Sequence, residues 1–183
     1  EFWGGCLAGL GGDLDEGISA IARARARYHE LGMRAMYGGS ANPQAELQIL
    51  ANDPAAAEKT LRDGLAELEQ LGDRSYSSTL LAQLAEALYE QGRLDAAADV
   101  LDQAESLSAP DDAINIAWFP ILRAKVVAGS GRLAEAERLA REGVERSLRL
   151  KGHIRHRAYA REALADVLKL AGRSEEARAE GER

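Results

Sequence analysis

The residue sets in this chain that could do chemistry are few and scattered. The stretch Gly4-Gly5-Cys6-Leu7-Ala8-Gly9-Leu10-Gly11-Gly12 is glycine-rich, as phosphate-binding loops are. It lacks the Gly-Lys-Ser/Thr ending that such a loop requires, and no strand pattern precedes it. It reads as close packing followed by a turn. Cys6 is the only cysteine, so neither an intramolecular disulfide nor a thiolate metal cluster can form. No histidine lies near it in sequence to activate it, and a small buried thiol is the expectation. His153 and His156 are three apart and can share a helix face, which is one way to hold a metal. No third ligand stands nearby, and Arg155 and Arg157 flank the pair with positive charge, so a solvated helix start is the plainer reading. Arg23, Arg25, Arg27 and Arg34 form a basic run. On a helix, residues two apart point about 200° from each other, so the first three do not make one patch. With Glu16 and Glu30 close by, a solvated face is expected. No nucleophile, base or metal set clusters. The expectation is a protein that is not an enzyme and carries no cofactor or metal.

The elements that hold these residues are helices. Hydrophobic residues make up 46% of the 183 residues and aromatics only 5%, so the core must be built from Leu, Ala and Val. The Ala, Leu, Glu and Arg that dominate favour helix on intrinsic propensity. No stretch alternates with period two for long enough to read as a sheet. The formal charge is −7, which repels phosphate backbones and argues against nucleic-acid binding, and gives no reason to expect an anionic membrane as partner. No apolar run approaches the roughly 18 residues of a membrane span. The first residues lack the layout of a signal peptide, and a cytoplasmic setting is the default. The sequence opens on Glu1 rather than Met, so a segment of a longer protein is expected.

The strongest pattern is a repeat. Turn signals start at Gly12, Asn52, Gly92, Gly131 and Gly172, which are 40, 40, 39 and 41 residues apart. Seven residues before each stands a small residue: Gly5, Ala45, Ala85, Ala124, Ala165. Five after each stands another: Gly17, Ala57, Ala97, Ala136, Ala177. Twelve after come Ala24, Gly64, Ala104 and Gly143. Helix axes approach to roughly 8 Å only where the contact residues are small. The register therefore describes pairs of antiparallel helices, A and B, pressed together at these sites. Units fall at about 1–31, 33–71, 74–107, 111–150 and 153–183, forming one solenoid over 1–183.

The third unit shows the logic most fully. Leu81, Leu84 and Leu88 stripe a helix A from about Ser75 to Glu90, and Gly92 ends it in the left-handed cap that suits glycine. Ala97, Leu101 and Ala104 stripe a helix B from about Asp95 to Leu107. Pro110 then breaks the chain, and Asp111 or Asp112 can cap the next helix. In the second unit Asn42-Pro43 interrupts helix A. Asn42 as N-cap with Pro43 at the first helical position is the simplest account. A kinked, longer helix from about Met33 is the alternative.

Leu81, Leu84, Ala85, Leu88, Gly92, Leu94, Ala97, Leu101, Ala104 and Leu107 fall in the order and spacing of the tetratricopeptide-repeat family, which the chain resembles over nearly its whole length. The period near 40 exceeds the usual ~34 of that family by about a turn. The resemblance implies an all-α, right-handed α-solenoid of antiparallel helix pairs. The motifs Asp53-Pro54-Ala55-Ala56-Ala57-Glu58, Leu84-Ala85-Glu86-Ala87-Leu88 and Leu133-Ala134-Glu135-Ala136-Glu137 also look like the repeat regions of large bacterial signalling proteins. In those, a cyclase or DNA-binding module is joined to an ATPase and a long repeat tail.

In that family the concave wall is lined by exposed positions of the A helices. Carried over to this chain, one row is Cys6, Glu46, Glu86, Lys125 and Asp166, and a neighbouring row includes Asn42, Ala82, Ile121 and Glu162. Tyr89, Trp118 and Tyr159 fall at other concave positions. Chaperone-binding members clamp a C-terminal carboxylate with Lys and Asn at such places. Here the groove carries mostly acids, with Lys125 as the lone cation, which argues against a clamp. It suits a basic or amphipathic protein segment or peptide. The implied function is a non-catalytic protein-interaction scaffold. The alternative is a sensor that closes on a small ligand or peptide in the groove. Uncapped solenoid ends are expected to favour a homodimer.

Overall fold

The computed structural model describes residues 1–150 and 154–182. Every regular element among them is a helix: α1 (Phe2–Leu10), α2 (Leu14–Glu30), α3 (Arg34–Gly39), α4 (Ala41–Leu50), α5 (Pro54–Leu71), α6 (Arg74–Glu90), α7 (Leu94–Leu107), α8 (Ala113–Gly129), α9 (Leu133–Leu148), α10 (Ile154–Leu170) and α11 (Ser174–Gly181). They group into two compact units, Glu1–Leu107 and Ser108–Arg183. In the first, α1 packs on α2, α4 on both α2 and α5, and α6 on α5 and α7. In the second, α9 packs on α8 and α10, and α11 on α10.

Short closed turns produce this hairpin order. Gly12, Asn52, Gly92, Gly131 and Gly172 all have positive φ, and Asn52, at 59°, is the one non-glycine residue among those described to do so. After α6 the Gly92 N–H donates to Tyr89 O and the Arg93 N–H to Leu88 O. These two hydrogen bonds close the helix end around a left-handed residue, and the same pair recurs at the other four turns. Side-chain caps start the next helices: Asp13, Asp53, Asp73 and Asp112 each accept a backbone N–H three residues on. Asp112, rather than Asp111, caps α8.

All fourteen small residues in register are buried. They are small because their neighbours leave no room. A Cβ on Gly64 would lie 2.6 Å from the Ala41 Cβ and 2.9 Å from the Gly38 carbonyl oxygen. A Cβ on Gly143 would lie 2.4 Å from Ile121 Cγ1. Around these contacts Leu47, Leu61, Leu84, Leu88 and Leu101 fill the first unit, and Leu122, Leu164 and Leu168 the second, each 2% exposed or less.

Two prolines shape A helices in different ways. In the second pair the kinked form is the one found: α3 and α4 are separated by Ser40 alone, and Asn42 is inside α4 rather than at its N-cap. Pro43 has no N–H to give the Gly39 carbonyl, and its ring crowds that carbonyl, which places the break at Ser40. Pro120 instead lies inside an unbroken α8. It deprives the Ile116 carbonyl of its helical donor, and Arg146 of α9 replaces that donor, with Nη1 2.9 Å from Ile116 O.

Candidate functional site

The acidic and aromatic residues assigned to the A helices occupy quite different environments. In the first unit Glu46 on α4 is half-buried, Glu86 on α6 is only 8% exposed, and Tyr89 is half-buried. Glu86 therefore does not stand on an open wall. In the neighbouring row Ala82 and Ile121 are core residues, at 0% and 1% exposure. Asn42 reaches across from α4 to α6, its Nδ2 2.8 Å from Gln83 Oε1. Cys6 on α1 is half-buried, and burial, opposed by a backbone hydrogen bond, pushes its thiol pKa up, so it is a poor nucleophile. On the same helix Trp3, Leu7 and Leu10 form an exposed apolar stripe.

The second unit does bring assigned residues together. Lys125 Nζ of α8 lies 3.3 Å from the Tyr159 hydroxyl of α10 and 5.4 Å from its ring centre. Along α10, Tyr159, Glu162 and Asp166 are spaced three and four apart, which places them on one face. Glu162 and Asp166 are exposed, and Asp166 accepts from Lys169 Nζ at 2.8 Å. Trp118 on α8 is half-buried. His153 lies outside the described residues, and His156 is half-buried on α10. Among the described residues no group of three or more His, Cys, Asp or Glu could hold a metal ion. No helix there is long and apolar enough to cross a membrane.

Two carboxylates form matching charge nodes at turns. Glu58 of α5 accepts from Arg62, from Gln91 and from Arg93, the last at 2.7 Å. Burial acts to raise its pKa, but these donors prevail and hold it below the ordinary value. In the second unit Glu137 of α9 accepts from Arg141 and from Arg173, at 2.9 and 2.6 Å. Those two arginines, Arg141 foremost, hold its carboxyl low. Both glutamates stand six residues after a turn signal, and Arg93 and Arg173 each stand one residue after the next. The pairing is thus a feature of the repeat that ties one hairpin to the following turn.

The basic run does not form a uniformly solvated face. Arg23 pairs with Glu16, Arg27 with Glu30, and Arg34 with Glu67, all at the surface. Arg25 turns inward and is 5% exposed. Its guanidinium carbon lies 4.7 Å above the centre of the Tyr37 ring, and its Nη1 has no hydrogen-bond partner. The signal was present in the spacing: Ile21, Ala24, Arg25 and Tyr28 fall at i, i+3, i+4 and i+7, the inner stripe of α2.

Residues 79–103, 117–142 and 158–182 match the model of the tetratricopeptide repeat. No curated protein matches the chain. Among solved structures, the TPR-like repeats of a putative kinesin light chain from Podosopora anserina superpose with a TM-score of 0.62 at 16% identity, covering 97% of this chain and 88% of that one. BtubC (BKLC) from P. vanneervenii superposes with a TM-score of 0.70 at 17% identity, covering 98% of this chain and 74% of that one. At these identities the likeness is one of fold. Three segments between residues 79 and 182 thus carry the tetratricopeptide repeat, a fold that generally serves as a protein-interaction scaffold, and the chain shares its helix-hairpin fold with TPR-like solved structures.

Proposed function

We propose that this chain is a non-catalytic protein-interaction scaffold, and that it is the repeat arm of a bacterial signalling or transcription-regulatory protein. It takes up a basic or amphipathic polypeptide segment on its A-helix faces. The observation that supports this best is the stripe on α10, where Tyr159, Glu162 and Asp166 offer an aromatic ring and two exposed carboxylates on one face. A cationic amphipathic segment would lay its apolar side on the ring and its charges on the acids. The signalling context rests on the resemblance of the Ala/Glu/Leu motifs to such repeat tails.

The test uses an array of basic amphipathic peptides, with acidic peptides of matched hydrophobicity beside them, probed with the full chain by fluorescence anisotropy at low and physiological salt. Basic peptides should bind and weaken with salt. The double variant Glu162→Lys/Asp166→Lys, which alters only exposed positions, should lose about tenfold in affinity. Equal binding of acidic peptides, or an unchanged affinity in the double variant, would refute the reading.

A further inference from the structure

Arg25 presents a problem that the repeat fold does not solve. A guanidinium is charged at every relevant pH and carries five N–H donors, so nature rarely buries one without acceptors. Here the side chain is 5% exposed and Nη1 has no partner. The ring of Tyr37 lies 4.7 Å from the guanidinium carbon and attracts it, and Tyr37 also hydrogen-bonds the side chain, yet Nη1 itself is left without an acceptor. Burial pulls the Arg25 pKa down, against a hydrogen bond and charge interaction with Tyr37 and the charge of Asp63. The cation is therefore held in place with its desolvation only partly offset.

Arg25 is also one of the residues that line a solvent-open cavity of about 250 Å³ in the first unit. Tyr37 of α3, Gln44 of α4, and Thr60 and Asp63 of α5 complete its polar wall. That volume is roughly eight times the ~30 Å³ share of one liquid water, and lies just under the range of sites for drug-sized ligands. The lining carries one positive and one negative side chain, so a simple anion would meet Asp63 and a simple cation would meet Arg25. A ligand bearing both charges meets neither conflict. A guanidinium receives a carboxylate on two parallel N–H bonds. The Tyr and Thr hydroxyls and the Gln amide can donate or accept as needed.

We propose that this cavity is a binding site for a small zwitterion, a free α-amino acid in chemical class, with its carboxylate on Arg25 and its ammonium toward Asp63. The site is built by α2, α3, α4 and α5, and Gly38, Ala41 and Gly64 hold α3 and α4 close against α5. Tyr37, on short α3, covers the guanidinium, and a modest side-chain shift there admits the carboxylate to Nη1.

The experiment is isothermal titration calorimetry of the full chain with glycine, alanine and serine, with acetate and methylammonium as single-charge probes. The amino acids should bind at least about tenfold more tightly than either single-charge probe. Arg25→Met, which keeps the stem and removes the buried charge, should fold normally by circular dichroism and bind neither amino acids nor acetate. Asp63→Asn, at an exposed position, should retain acetate and lose the preference for amino acids. Should Arg25→Met fail to fold, the Arg25 side-chain NMR signal of the unsubstituted protein gives the same answer, since it must shift with added alanine. Absence of amino-acid binding, undiminished binding in Arg25→Met, an unmoved Arg25 signal, or acetate binding as tightly as alanine would each overturn the proposal.

Discussion

Replacing Gly64 by alanine isolates the principle that governs this fold. In a helix interior the change ordinarily stabilises, by up to about 1 kcal/mol. At Gly64 the added Cβ would meet the Ala41 Cβ at 2.6 Å, where 3.4 Å begins ordinary contact, so the two helices must part there by about 0.8 Å. Neither obstacle can swing aside, because Ala41 ends at its Cβ and the second contact, at 2.9 Å, is the Gly38 backbone. Overpacking of this kind costs about 1–3 kcal/mol. Set against the full gain in propensity, the net loss is up to about 2 kcal/mol, or up to roughly 8 °C in Tm for a chain of this length. Gly4 supplies the control. It lies in α1, and a Cβ there meets nothing within 4 Å, so Gly4→Ala should be neutral to stabilising by up to about 1 kcal/mol. Thermal and urea denaturation followed by far-UV circular dichroism measures both. If Gly64→Ala proved as stable as Gly4→Ala, glycine would not mark helix contact in this chain, and the reading of the whole repeat would fail.

Two further outcomes follow from the polar contacts. Arg146→Met leaves the Ile116 carbonyl without a donor and should cost about 1 kcal/mol; in a Pro120→Ala background the helix supplies its own donor, so the same substitution should cost less, and a double-mutant cycle without coupling would refute the exchange of donors. Glu137, held below its ordinary 4.5 in the folded chain, contributes stability that is complete above the unfolded value and is lost as pH falls through the folded one. Glu137→Gln should therefore lower stability at neutral pH, by at most about 1 kcal/mol for a pair this near the surface, and flatten the loss of stability below about pH 4.5, as read from urea midpoints across the acid range.

Much of this molecule is local and so could be read along the chain. The positive-φ turns at Gly12, Gly92, Gly131 and Gly172 need glycine for steric reasons within a few residues, and Asn52 is the residue type best able to replace it. The Asp caps act three residues away. The small residues recur at fixed distance from those turns, and every one is buried. Ion pairs such as Glu145–Arg149 span a single helical turn and form as their spacing requires.

What spacing left open depends on which neighbour covers each helix face. Helical periodicity sets the angle between two residues on one helix, and it carries no information on whether a second helix lies above either of them. Glu86 and Glu162 look alike in sequence, yet one is buried in α6 and the other exposed on α10. Arg25 and Arg27 lie two residues apart, and only the first is covered, by a tyrosine that a separate helix brings over it. The donor that serves Ile116 stands 30 residues away. Composition and register therefore determined that this chain folds as hairpins pressed together at small residues, because those rules act over a few bonds or one helical turn. Only packing decided which charges are covered, because burial belongs to pairs of helices and not to either one alone.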